Sequence, residues 1–263
     1  ANAFVDCREL TSLQLPKTCV TIGRNCFKGC TALKNDPTPA TATSLGNGYL
    51  QDCSSITEVT IPAGVPGTFT AQNLAGMTSL KKITFADSET PFKMSVLAFV
   101  QNLGEGVKSP IEEIYFGRNL DEGSGSNMPF RGIKTLKKVT FGGNFTTVDA
   151  EMFMGCTGLT EVVYASGVNV TSLGAGAFAS CSSLASLQIP AVITAIPERL
   201  CSGDAALTSI TMGDAVTSIG ATAFYKTGLK NLSIPASVQT IYSNAFQGSA
   251  LVGEIALPAA LTS

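Results

Sequence analysis

One phrase recurs through the chain, and a chain that repeats itself at a fixed period folds as a stack of equivalent units. The phrase is an aromatic or leucine anchor, a small residue or cysteine three on, an apolar residue about six on, then apolar-x-apolar-Pro. Phe4, Cys7, Leu10, Leu13, Leu15 and Pro16 carry it first, and Phe178, Cys181, Leu184, Leu187, Ile189 and Pro190 repeat it. Phe224, Leu232, Ile234 and Pro235 give it with one residue missing. The anchors are Phe4, Phe27, Leu50, Leu74, Leu103, Phe130, Phe153, Phe178, Leu200, Phe224 and Phe246, ten intervals of about 24 residues each. Chance does not produce ten such intervals.

Each unit has a physical reading. The apolar-x-apolar stretch alternates with period two, so it predicts a short strand with one face buried. The proline after it cannot donate to a ladder and ends the strand. A second apolar pair, such as Val20 and Ile22, Val216 and Ile219, or Val238 and Ile241, returns the chain on the far side. Gly23 and Gly220 then allow the bend into the next anchor. One unit cannot close a core, but stacked units share one core and a parallel sheet.

The Ala-Phe-x-x-Cys-x-x-Leu…Ile-Pro…Val-x-x-Ile signature resembles the BspA-like leucine-rich repeat, also called the Treponema pallidum type. The resemblance covers nearly the whole chain and weakens where insertions interrupt it. It implies an α/β repeat solenoid: a right-handed leucine-rich-repeat superhelix with a parallel concave β-sheet and mostly irregular convex returns. Residues 1–263 then read as a single solenoid of about ten to eleven repeats, with insertions near 34–48, 86–110 and 117–129. It also implies a surface or secreted protein of a bacterium or protozoan parasite, of the kind that includes adhesins for host proteins.

The interruptions carry their own expectations. Asn35-Asp36-Pro37-Thr38-Pro39 replaces the strand phrase of the second unit, which predicts broken or bulged pairing there. Between Leu74 and Leu103, the apolar residues Phe92, Val96, Phe99, Val100 and Leu103 have helical spacing. Thr90 as cap, Pro91 in the first turn and Gly104 as stop predict an amphipathic helix over that stretch. The 121–127 stretch reads as a flexible loop, because the ligand spacing of a calcium loop is missing. Ala1-Asn2-Ala3-Phe4 matches Ser243-Asn244-Ala245-Phe246, and Leu257-Pro258 also falls inside a unit. Both ends are therefore expected to be cut within a repeat, with the natural protein continuing in at least one direction.

Composition narrows the chemistry. The chain has 44% hydrophobic residues, enough for a large core without disulfides, and no histidine, which removes Ser-His-Asp and Cys-His relays and histidine metal sites. Seventeen basic against nineteen acidic residues leave a net charge of −2, too balanced to argue for nucleic acid or an anionic membrane. No apolar run approaches a membrane span, so no membrane insertion by this segment is expected. Of the eight cysteines, Cys7, Cys30, Cys53, Cys156 and Cys181 all sit three residues after an anchor, where Met77 stands in another unit. That is a packing position, and free buried thiols are expected there. A ladder spreads its ligands along the stack, so no metal and no cofactor are expected.

The strand positions facing away from the core are the candidate site. The residue before the first buried strand position is Glu58, Lys82, Glu113, Lys138 and Glu161 in five consecutive units, alternating in sign. Two positions on stand Thr60, Thr84, Tyr115, Thr140 and Val163, with Tyr115 the one aromatic. The candidate ligand-binding residues are Glu58, Lys82, Glu113, Tyr115, Lys138 and Glu161. Read blandly, the charges form a self-satisfied ladder worth about 0.2–1 kcal/mol per pair. Read functionally, they are a polar strip for a partner. No pocket is implied, and a carboxylate beside a lysine stays ionised and is a poor general acid. These readings point to a non-catalytic binding module of a bacterial surface or secreted protein, extracellular or on the cell surface. Its partner would be a host or neighbouring-cell protein or glycan, met on the concave sheet. The alternatives are a structural spacer displaying another domain and an intracellular scaffold with reduced thiols.

Overall fold

The computed structural model describes residues 1–94, 111–121 and 130–263. They fall into two compact units. Unit 1 comprises Ala1–Pro129, Val139–Phe145 and Tyr164–Gly167; unit 2 comprises Phe130–Lys138, Thr146–Val163 and Val168–Ser263. Among the described residues the helical content is one 3-10 turn, Ala71–Asn73, and the rest is short strands joined by tight turns.

Unit 1 contains β1 (Thr21–Ile22), β2 (Ser44–Leu45), β3 (Glu58–Ile61), β4 (Gly67–Phe69), β5 (Lys82–Phe85), β6 (Phe92–Met94), β7 (Glu113–Phe116) and β8 (Leu120–Asp121). β3, β5 and β7 pair in parallel with no register shift, Glu58 opposite Lys82 and Lys82 opposite Glu113. Their alternation does what period two predicts: Val59, Ile61, Ile83, Phe85, Ile114 and Phe116 are buried, while Glu58, Thr60 and Glu113 are exposed. On the return side β1 pairs with β2 in parallel. There Ile22 is buried as expected but Val20 is 46% exposed. Cys19, whose N–H bonds Pro16 O as the Val216 N–H bonds Gly213 O, takes the inward place instead.

The break in the second unit is made by side chains that imitate a strand. The Asn35 amide accepts from Leu13 N–H (3.3 Å) and donates to Leu13 O (2.7 Å), the two bonds a backbone partner would make. Asp36 accepts from Thr60 N–H with Oδ2 and from Thr38 N–H with Oδ1, both at 2.9 Å, and so caps the edge of β3. The displaced backbone leaves a cleft of about 420 Å³ beside Gln14, Leu15, Lys17 and Pro39.

The expected helix from Thr90 does not start there. Phe92–Met94 is a strand, β6, with Phe92 and Met94 buried around exposed Lys93, and it lies between β4 and β8 in a parallel sheet. Lys93 stands opposite Asp121 and pairs with it at 3.6 Å. The backbone of Gly67–Phe69 offers a ladder, and a segment that alternates over 92–94 takes it. The rest of that expected helix, 95–104, and the acidic loop beyond Asp121 lie outside the described residues. Arg118 fixes this addition to the stack: its buried guanidinium donates to the carbonyls of Pro62 (2.8 Å), Ala63 (3.1 Å) and Val65 (2.8 Å) and lies 4.9 Å from the Phe92 ring centre.

After it come β9 (Lys138–Phe141), β10 (Thr147–Val148), β11 (Glu161–Tyr164), β12 (Ser172–Leu173), β13 (Ser186–Gln188), β14 (Ala195–Ile196), β15 (Ser209–Thr211), β16 (Ser218–Ile219) and β17 (Thr240–Ile241). Within unit 2, β13 pairs with β15, β10 with β12, and β14, β16 and β17 form a three-stranded sheet, all in parallel. A further ladder runs at the anchors, where N–H groups of every second residue reach the next repeat. Arg199, Cys201 and Gly203 donate to Ala221 O, Ala223 O and Tyr225 O at 3.0, 2.8 and 2.8 Å. Arg199 and Gly203 hold φ of 56° and 87°, which turns successive amides the same way.

The anchor rings stack: Phe130 on Phe153 (6.1 Å) and Phe153 on Phe178 (5.7 Å) in unit 2, Phe4 on Phe27 (5.3 Å) in unit 1. Of the cysteines three residues on, Cys30, Cys53, Cys156 and Cys181 are the second column of the core, while Cys7, expected to be buried, is exposed. Each thiol of that column donates to the anchor carbonyl of the preceding repeat: Cys30 to Phe4 O (3.0 Å) and Cys53 to Phe27 O (3.1 Å), then Cys156 to Phe130 O (3.1 Å) and Cys181 to Phe153 O (3.2 Å). All eight cysteines are free thiols. One anchor needs correcting. Phe178 N–H bonds Leu200 O as Phe153 N–H bonds Ala177 O, so Leu200 matches Ala177 and Cys201 stands in the phenylalanine place. Asp204 then takes the cysteine place.

Candidate binding face

The outward face of unit 1 carries four of the six expected residues. β3, β5 and β7 alternate strictly, so a residue before each buried position is delivered to the surface, and the shared register aligns them into a row. Glu58 Oε2 lies 3.9 Å from Lys82 Nζ, with side chains 69% and 41% exposed. Lys82 is also the register partner of Glu113. A neighbouring pair that the sequence reading passed over, Lys81 with Glu112, closes at 3.2 Å. Pairs as wet as these contribute about 0–1 kcal/mol to the fold. The two remaining residues belong to unit 2, where Lys138 Nζ donates to Glu161 Oε1 at 2.9 Å.

Tyr115 does not hang free. Its hydroxyl donates to Asp87 Oδ1 at 2.8 Å. The carboxylate in turn sits over Gly117 and Gly143, where a Cβ at either residue would run into Oδ1, and the phenol lies where a Cβ on Gly142 would be. Burial first, and the Asp87 carboxylate second, push the Tyr115 phenol up to about 12, so it is a hydrogen-bond donor at any physiological pH. Asp87 lies 28 residues from Tyr115, between two repeat phrases, and nothing periodic marks it. The Gly142-Gly143 pair after β9 was the visible sign that something crosses close to the backbone there.

Among the described residues no group of three His, Cys, Asp or Glu could hold a metal ion. Six thiols are buried, Cys19 is partly exposed and Cys7 exposed, and the sequence has no histidine to activate them; burial pushes Cys53 and Cys156 up to about 12. The strongly displaced carboxyl, Asp204, is fully buried in unit 2, where Cys181 N–H donates to its Oδ1 at 2.8 Å. Burial pushes it up to about 8. No helix among the described residues is long and apolar enough to cross a membrane.

No protein of curated function matches the chain. Among solved structures it is similar to a leucine-rich repeat protein from Bacteroides ovatus, with 22% identity over 94% of this chain and 72% of that one and a TM-score of 0.39. A leucine-rich cell surface protein from Faecalibacterium prausnitzii aligns with 23% identity over 94% and 78% of the two chains, TM-score 0.44. The leucine-rich repeat protein of T. pallidum aligns with 22% identity over 70% and 69%, TM-score 0.36. The BspA type leucine-rich repeat region, in six copies, matches residues 1–119 and 125–262, nearly the whole sequence. The chain belongs to the BspA type leucine-rich repeat family.

Proposed function

We propose that the chain is a non-catalytic binding module of a bacterial surface or secreted protein, and that it holds a host or neighbouring-cell protein or glycan against the outward strand face. The observation that carries this reading is the row in unit 1: Glu58, Lys82 and Glu113 stand in register at the surface beside a tethered tyrosine, and no core needs those side chains. Family membership and the absence of histidine from the sequence support it. Within each unit we take the repeats to wind right-handed, as nearly all parallel crossovers do, with this face on the concave side. Lys138 and Glu161 add a second patch of the same chemistry. An extracellular place follows from the proposal, because the partner is there.

The test is capture of the purified chain by an array of extracellular-matrix proteins and glycans near physiological salt. Saturable binding that weakens when Lys82, Glu113, Tyr115 or Lys138 is replaced supports the module and locates its surface. Undiminished binding by the Glu113→Lys, Tyr115→Ala double variant removes this face from it. The second reading, a structural spacer, is favoured by the pairs Glu58–Lys82 and Lys138–Glu161, which satisfy their own charges. It predicts no capture by a well-folded chain, and unchanged function of the whole protein when these repeats are exchanged for unrelated ones.

A further inference from the structure

We infer that Asp87 is a positioning residue of this face: its carboxylate, seated over Gly117 and Gly143, holds the Tyr115 side chain down over Gly142 as a pre-set anchor for the partner. The inference rests on the binding reading above and deepens it by one residue.

Three observations meet at this point of unit 1. The hydrogen bond from Tyr115 to Asp87 is 2.8 Å, charge-assisted on the acceptor side and therefore stronger than a neutral one. The carboxylate and the neighbouring backbone can both come this close because two glycines leave room: a Cβ on Gly117 would meet Asp87 Oδ1, Asp87 N and Phe85 O, and one on Gly143 would meet Asp87 Oδ1 and Gly117 O. The phenol can lie where it does because Gly142 carries no Cβ either. Three glycines on two segments thus make one seat. A core does not require it, since Asp87 is exposed and Tyr115 half-buried. A binding face gains from it. Tyrosine supplies a large contact at low entropic cost, and fixing its rotamer before the partner arrives lowers the cost of association. In the other outward positions of β3 and β5, Thr60 and Thr84 are already stiff at χ1; the tyrosine is the side chain with freedom to lose.

The experiment uses the full chain with ¹³C-labelled tyrosine, which shows each of the five tyrosines separately. In the wild type, ring protons of Tyr115 should show cross-relaxation to the Gly142 α-protons, and the ring should remain protonated at pH 10.5. Asp87→Asn should bring its titration down toward the usual tyrosine range. Asp87→Ala should abolish the Gly142 contact. Gly142→Ala reaches the same end by another route, pushing the ring out while Asp87 stays. On the matrix array, Asp87→Asn and Gly142→Ala should weaken capture by roughly two- to tenfold, the penalty for an anchor that must be ordered on binding.

A Tyr115 ring that keeps its contact and its titration in both Asp87 variants overturns the inference without any ligand. Unchanged capture by a variant whose ring has been released overturns it too, while leaving the binding reading intact. If the folded wild-type chain is captured by nothing on the array, the binding reading itself fails, and the anchor falls with it.

Discussion

Asp204 occupies a place that the repeat gives to cysteine. The thiols at that place donate to a carbonyl of the preceding repeat; Asp204 accepts from the Cys181 amide instead, beside the Cys201 thiol, with no exposure to solvent. Burial raises its folded-state pKa to about 8, far above an ordinary carboxyl. A raised pKa means that the folded state holds the proton where the unfolded state has released it. The stability tied to that proton is therefore complete below about pH 4 and is lost as pH rises through about 8. Unfolding by urea should require less denaturant at pH 9 than at pH 5, by a free-energy difference on the order of 2–5 kcal/mol. Asp204→Asn should flatten that dependence, and Asp204→Cys should both flatten it and restore the ladder; a slope that survives both variants would place the titrating group elsewhere. The thiols give a second check. Cys7 is exposed and Cys19 partly so, while the other six are buried. An aromatic disulfide reagent should consume Cys7 rapidly, Cys19 more slowly, and the remaining thiols only on unfolding.

At the scale of elements, the stack tolerates a lost strand because side chains take over its hydrogen bonds. Asn35 pairs with both backbone groups of Leu13, and Asp36 caps the Thr60 amide. Removing such a partner leaves a polar group unmade at a cost of about 1–3 kcal/mol. Asp36→Ala should lower stability by that order and speed hydrogen exchange at Thr60, while Thr84, bonded within the β3–β5–β7 ladder, keeps its protection. Equal acceleration at both sites would mean that the whole sheet opens together and that Asp36 is not a local cap. This break was legible in advance, since two prolines cannot serve a ladder. What replaced the strand was not, because a side-chain amide that imitates a peptide leaves no periodic trace. The 92–94 segment shows the converse limit. Phe92 fits both a helix with Val96 and a strand with Met94, and the decision lay with Gly67–Phe69, a partner that only the folded chain brings alongside. Leu200 reads as an anchor in the sequence because leucine serves elsewhere; the amide ladder puts Cys201 there instead. The outward row came directly from the period, since equal spacing and equal register are the same fact. Asp87 did not, because it lies between phrases and acts across 28 residues.

For the molecule as a whole, charge exchanges in the two units separate a charged row kept for the fold from one kept for a partner. Replacing Glu58 by Lys, Lys82 by Glu and Glu113 by Lys keeps opposite signs at both register pairs of unit 1 while reversing the order of signs that an approaching surface meets. Lys138→Glu with Glu161→Lys does the same in unit 2. The side chains of both pairs are 37–69% exposed, so neither the exchange nor the pair itself should move the melting temperature by more than about a degree or two. The buried face is untouched, and the net charge moves only from −2 to zero. A row kept only for its internal pairs is indifferent to such an exchange, and the variant should then match the wild type in every assay of the whole protein. A row read by electrostatic complementarity is not indifferent, because juxtaposing like charges costs several kcal/mol at an interface. The exchanged chain should then lose capture on the array near physiological salt, chiefly through slower association, and raising the ionic strength should narrow its deficit. Loss of capture with an unchanged melting temperature assigns the row to the partner; full capture by the exchanged chain assigns it to the fold.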